Sequence, residues 1–296
     1  ASVTTGVQNT FVGALAGDAT DDGTNNVAVG FEALSANCGS GNVALGTRAG
    51  KATTGDNNTL VGLSAGTSVT SGIQNTIMGG LAGDALTDAD NNVAIGYSAM
   101  TTNVLGSESV AIGTFALNNQ NPSTAANMYN VAVGHNTGAA ITTGIQNTLI
   151  GGLAGDALTT GSNNTAVGAQ GALGADTLGS RAIAIGDAAL QSQNFTTATE
   201  NYNVAVGYAA GANVTTGIYN TLIGGLAGDA LTDADNNVAV GRAALSTDTL
   251  GSCSVAIGRN ALVTQNFTTA TDSFNVAVGD RAGAAVTTGT NNTLIG

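Results

Sequence analysis

Positive charge, proline and aromatic rings are nearly missing from this chain. Six Lys and Arg stand against nineteen Asp and Glu, for a net charge of −13. That balance excludes a sequence-independent grip on nucleic acid or on an anionic bilayer, both of which need cationic patches. A single proline, with no glycine at every third position, excludes a collagen triple helix. Charged residues make up 8% of the chain, against roughly 25% in an ordinary soluble domain. No apolar run approaches the ~20 residues of a membrane span, so no membrane insertion is expected. Histidine occurs once, as His135. Any Ser-His-Asp or Cys-His arrangement would have to use it, so no catalytic residue is assigned and the chain is not expected to be an enzyme.

Glycine is abundant instead. There are 44 among 296 residues, and each costs ~1 kcal/mol in a helix interior, which argues against a helix-rich protein. Disorder is opposed by 43% hydrophobic content, too apolar for a solvated coil.

One five-residue phrase recurs seventeen times, from NTFVG at 9–13 through NVAVG at 26–30 and NTLVG at 58–62 to NTLIG at 292–296. Its closing glycines are separated mostly by 17 residues, with two intervals of 16, one of 18 and three of 21. The second position is always Val, Ile or Thr and the fourth always Val, Ile, Leu or Met, a pattern suited to a pleated strand. The third is Ala in eleven copies and Phe, Leu or Ile in six that all follow a Thr, as if volume were balanced locally. Second and fourth positions share one face and the third takes the other, so both faces of the strand are apolar. A coil can bury only one of them within itself.

Asn opens fourteen of the seventeen copies. Stacked coils would set Asn26, Asn42, Asn58, Asn75, Asn92, Asn130, Asn147, Asn164, Asn203, Asn220, Asn237, Asn275 and Asn292 into a structural ladder, each amide bonding the next. The closing Gly is expected to take a backbone conformation closed to other residues. Each unit of about 17 residues reads as one coil of a parallel β-solenoid, with coils ~4.8 Å apart. The phrase supplies one strand, and a shorter second strand is expected in the variable part of each coil. Three 21-residue coils, ending at Gly134, Gly207 and Gly279, mark a four-coil superrepeat of about 72 residues. Residues 1–296 read as a single continuous array of 17 coils and as a fragment of a longer fibre.

The phrase NVAIG and repeats of the form NNVAVGYxAL…TTGxN resemble those of phage tail fibres. They are also similar to the head repeats of trimeric autotransporter adhesins. The resemblance covers essentially the whole chain. It implies a left-handed β-roll that associates as an intertwined homotrimer, with one apolar strand face in the coil and the other at the three-fold interface. The coils are longer than those of the adhesin heads, which favours the phage type. The expected function is the structural shaft of a trimeric virion fibre supporting host attachment, with β-branched residues in its cores. Through its distal part such a fibre would meet a host surface glycan or protein. Alternatives are a bacterial surface adhesin, placed extracellularly or on the cell surface, and an ice-binding or ligand-binding solenoid suggested by TTG turns such as 53–55 and 215–217.

Other chemistry is sparse. Cys38 and Cys253 lie about twelve coils apart, roughly 60 Å along a solenoid, so neither a disulfide nor a metal site is expected. The acidic turns LTDADNN at 86–92 and 231–237 share the opening spacing of a calcium loop but lack its glycine and distal glutamate. They read as solvated corners, and no cofactor is assigned. The inserted loops carry Phe195, Tyr202, Phe267 and Phe274, candidate binding residues because exposed aromatics stack on sugars. The competing reading has them plug the widened coil or the three-fold interface.

Overall fold

The computed structural model describes residues 3–296, which fall into two compact units, Ala1–Asn147 and Thr148–Gly296. Each phrase folds as a three-residue strand. The first unit carries eight, from Thr10–Val12 to Val131–Val133, and the second nine, from Thr148–Ile150 to Thr293–Ile295. Within each unit every such strand pairs in parallel, without offset, with the strand of the next phrase. Ala28 lies opposite Ala44 and Leu60 opposite Ile77 in the first unit, and Leu222 lies opposite Ala239 in the second. Each unit is thus a parallel β-solenoid of ~17-residue coils, and the described residues contain no helix.

Three residues are too few for a strand to persist alone. The stack supplies what the single coil lacks. Thr59 donates its N–H to the Asn75 carbonyl at 2.8 Å, and Gly62 donates to the Leu45 carbonyl at 2.8 Å, so one coil bonds both its neighbours. The closing Gly permits this for two reasons. Its φ lies between +117° at Gly296 and +155° at Gly168, a region that only glycine enters readily. A Cβ on Gly62 would also meet the Gly79 backbone at 2.7 Å.

Beyond that glycine the chain turns by alternating hand. The residue two positions on is left-handed, as at Ser64 (φ 55°), Leu81 (58°) and Leu226 (61°), and so is the residue just before the phrase, as at Gln74 (59°) and Tyr219 (60°). Such a φ costs an L-residue roughly 1–2 kcal/mol. Here each one aims an N–H into the stack: Ser64 donates to the Thr47 carbonyl and Leu226 to the Tyr208 carbonyl, both at 2.9 Å.

The interior is filled in two alternative ways. Where the third strand position is large, as at Leu60, Ile77, Leu149 and Leu222, the residue six places later is Gly. A Cβ on Gly66, Gly83, Gly155 or Gly228 would lie 2.7–3.0 Å from that large side chain. Where the strand residue is Ala, the turn residue is often large and buried instead: Ala28 with Leu34, Ala94 with Met100, Ala239 with Leu245.

Two expectations are corrected. The β-branched residues do not form the core. In the strands the third position is inside, and the second and fourth face outward, as the pattern intermediate–buried–exposed at Val27–Val29 and Thr221–Ile223 shows. A second strand is also absent from most coils. Among the described residues, two-residue strands occur only as Gly106–Ser107 with Ala126–Asn127, Gly179–Ser180 with Thr199–Glu200, and Gly251–Ser252 with Thr271–Asp272. The left-handed turns consume the chain length that a second strand would need, and only the inserted loops restore it.

Candidate functional site

The outward strand face is the most extended chemical feature of each unit. Its two ranks contain only Val, Ile, Leu, Met and Thr, with no charged residue. Val12 is 56% exposed, Met78 40% and Ile223 39%. Exposed apolar residues also stand among the polar and charged ones of both corners. In front of the strands stand Tyr129, Tyr202, Tyr219 and Phe274, and behind them Phe31, Leu63, Tyr97 and Tyr208, all exposed. An uncharged, largely apolar stripe with aromatic residues scattered along its margins is the kind of surface that meets another macromolecule.

The Asn column lies behind this face and is buried from Asn26 to Asn275, with Asn9 and Asn292 half-buried. Its bonding differs from a plain amide-to-amide ladder. Asn58 Oδ1 accepts the backbone N–H of Asn75 at 3.0 Å, and Asn75 Oδ1 accepts that of Asn92 at 2.9 Å. The amide nitrogens reach the turn three residues before the next phrase: Asn42 Nδ2 donates to the Gly55 carbonyl at 2.9 Å and Asn237 Nδ2 to the Gly251 carbonyl at 2.9 Å. Direct amide-to-amide bonds also occur, as from Asn75 Nδ2 to Asn58 Oδ1 at 3.1 Å. Where Ser109 or Ala182 replaces Asn, its N–H still takes the preceding Oδ1, of Asn92 or Asn164. The ladder therefore holds the backbone N–H of the residue just before a strand, and after the gap at Ala182 the Asn203 N–H turns to Asn201 Oδ1 of its own coil at 2.9 Å.

The four candidate aromatics separate into two kinds. Phe195 and Phe267 are 5% and 6% exposed, so as surface contact residues they are corrected: they plug the coil widened by the insertion. Asp176 and Asp248, which sequence reasoning passed over, hold them there. Asp248 Oδ1 accepts N–H groups of Gly251 at 3.0 Å and Phe267 at 2.9 Å, and its Oδ2 accepts Gln265 Nε2 at 2.6 Å. Asp176 accepts the same set from Gly179, Phe195 and Gln193, and burial raises its pKa. The readable signal was a D-x-L-G turn at both places, with Asn103 at the same point of the first superrepeat.

Tyr202 and Phe274 are exposed, but only Phe274 offers a bare ring. Tyr202 has the Arg181 guanidinium over its ring, 5.6 Å from the centroid, and Tyr219 stacked at 5.7 Å and 15°. Those two neighbours come from the preceding and following coils, so both ring faces are occupied and a sugar cannot stack there. The Tyr202 hydroxyl donates to Glu200 at 2.8 Å and Arg181 pairs with the same carboxylate at 3.0 Å, which together hold Glu200 below the usual carboxylate range.

The acidic turns tie each coil to the one before it. Asp90 and Asp235 accept the N–H groups of Ile73 and Ile218 in the preceding coil, at 2.8 and 2.7 Å. Asp88 and Asp233 accept hydroxyls of Thr70 and Thr216. Among the described residues no three His, Cys, Asp or Glu side chains gather as a metal site. His135 is exposed. Cys38 is buried and Cys253 half-buried, both as free thiols. No protein-family model matches the chain, and no curated protein matches it.

Proposed function

We propose that this chain is the structural shaft of a homotrimeric fibre of the phage tail kind, and that its work is mechanical: holding a receptor-binding tip away from a virion. One observation carries the reading. Every coil turns outward a two-residue rank of Val, Ile, Leu, Met or Thr, and this face repeats without a charged residue along each unit. A lone chain would leave that stripe in water. Three copies about a common axis bury it and leave the polar turns outside. The architecture suits a load-bearing part, since within each unit every coil is hydrogen-bonded to the next and a parallel stack exposes open strand edges only where it ends. The similarity of the phrase to fibre and adhesin repeats supports the same reading. A trimeric surface adhesin would use the face identically and is separated from a fibre by whether the full gene ends in a membrane-anchor barrel.

The test is the mass of the assembled particle by light scattering. Three chains per particle are expected. One chain per particle would overturn the shaft and bring forward a solenoid that presents its Thr- and Val-rich face to ice or to a ligand.

A further inference from the structure

Three copies closing into a ring meet through two unlike patches on each copy, because a three-fold contact is head-to-tail. The two corners beside the outward strands are unlike in this way. The leading corner carries the left-handed residue before each phrase, and the trailing corner carries the residue after each closing glycine. They are about six residues apart across an extended strand, roughly 20 Å, so within one chain they do not touch.

Two features of these corners have no explanation inside the chain. Gly80 and Gly225 stand at the trailing corner outside the left-handed region. A Cβ there would meet nothing nearer than 3.6 Å and 3.9 Å respectively. Neither backbone conformation nor packing in its own coil requires glycine. At the same height on the leading corner stand the long side chains of Gln74 and Tyr219, both exposed. Charge is matched as well. Arg181 on the leading corner and Asp187 on the trailing corner flank the same strand, Ile183–Ile185. Arg181 commits its Nε to Glu200 and Asp187 commits Oδ1 to the Ala169 N–H, which leaves a guanidinium edge and a carboxylate oxygen for each other.

We infer that neighbouring copies of this chain meet corner to corner at equal height, with Arg181 of one facing Asp187 of the next and Gln74 or Tyr219 of one lying over Gly80 or Gly225 of the next. The inference rests on the trimeric reading above and adds its axial register. A repetitive apolar stripe specifies register weakly. A slip of one superrepeat would set Arg181 beside Arg259, the residue equivalent to Asp187, and like charges then oppose each other.

The experiment compares the purified chain with Arg181→Asp, Asp187→Arg and the double exchange, measuring particle mass and the rate at which the oligomer dissociates on heating. Each single reversal is expected to speed dissociation by about tenfold, and the exchange to restore it, as for facing interfacial charges. The roughly 20 Å between the two residues in one chain means that rescue can come only from contact between copies. An oligomer of three chains in which the exchange restores nothing overturns the corner contact and leaves the shaft standing. A single-chain mass overturns both. Should a reversal fail to fold, Gly225→Leu carries the test, because a Cβ there would meet nothing in its own chain nearer than 3.9 Å. Faster dissociation is expected, and an unchanged rate overturns the contact.

Discussion

Asp248 accepts the backbone N–H of Phe267 at 2.9 Å, nineteen residues further along the chain. This bond fastens an inserted loop to the coil before it, and Gly251 makes room: a Cβ there would lie 2.1 Å from Asp248 Oδ2. The carboxylate is fully buried and bonded by three donors. Asp248→Ala would strand those donors and is expected to lower stability by about 2–4 kcal/mol. Asp248→Asn keeps an acceptor and is expected to cost less than about 1.5 kcal/mol, because Asn103 already holds the equivalent turn through the Gly106 N–H at 2.9 Å. Chemical denaturation of the two variants checks the order, and equal losses would contradict it.

Gly62→Ala tests the corner. The substitution forces an L-residue to φ +138° and places a Cβ 2.7 Å from the Gly79 backbone. Neither atom can move without breaking the stack. A loss of about 3 kcal/mol or more is expected, visible as a fall in the yield of protein with a β-type circular dichroism spectrum. Gly80→Ala, one residue from the equivalent corner, would place its Cβ in ordinary contact with the Tyr97 ring at 3.6 Å and is expected to leave that spectrum unchanged.

The strands, their glycine corners, the buried Asn column and the coil length were all legible, because each rests on a residue type repeated in register. Which strand face lies inside was not. Both faces are apolar, and alternation alone assigns sides without saying which is in. The decision comes from volume: Ala28 and Ala44 leave space that Leu34 fills, whereas two β-branched ranks facing inward would overfill so thin a coil. The left-handed columns were also illegible. Leu81, Arg181 and Tyr219 have no intrinsic preference for positive φ, and only their N–H bonds to the adjacent coil hold them there. Phe195 and Phe267 sat in polar loops, and their burial depends on Asp176 and Asp248, two carboxylates that composition alone assigns to the surface.

Stability is expected to rise toward acid pH. Desolvation raises the pKa values of Asp84, Asp156, Asp176 and Asp229 above the ordinary 3.8. Between that value and the raised ones, the folded chain binds protons that the unfolded chain has released. Stability is therefore fully present below 3.8 and declines as pH rises through the raised values. The lowered groups Glu32, Asp88, Glu200 and Asp280 work in the opposite sense, but solvent screens them. A higher denaturation midpoint at pH 4 than at pH 7 is expected, and Asp84→Asn, Asp156→Asn and Asp229→Asn together should flatten the difference. A midpoint that falls at pH 4 would reverse the assignment.

The two ways of filling the coil predict a coupled pair. Ala239 is buried in its strand and Leu245 fills the adjoining interior from a left-handed turn position, φ 54°. Six residues apart in the preceding coil, Leu222 and Gly228 divide the same space the other way, with φ 56° at the glycine. Leu245→Gly alone empties a buried side chain and is expected to lower stability by about 2–4 kcal/mol, moderated because glycine relieves the positive φ. Ala239→Leu alone overfills the coil, at about 1–3 kcal/mol. The double variant recreates the arrangement of its neighbour and should return to within about 1.5 kcal/mol of the parent, a strong departure from additivity. Denaturation midpoints of the three variants read the coupling directly. A double variant as unstable as the sum of the singles would show that the two positions fill separate spaces, and the alternation of Ala-with-Leu and Leu-with-Gly coils would then need a cause outside the core.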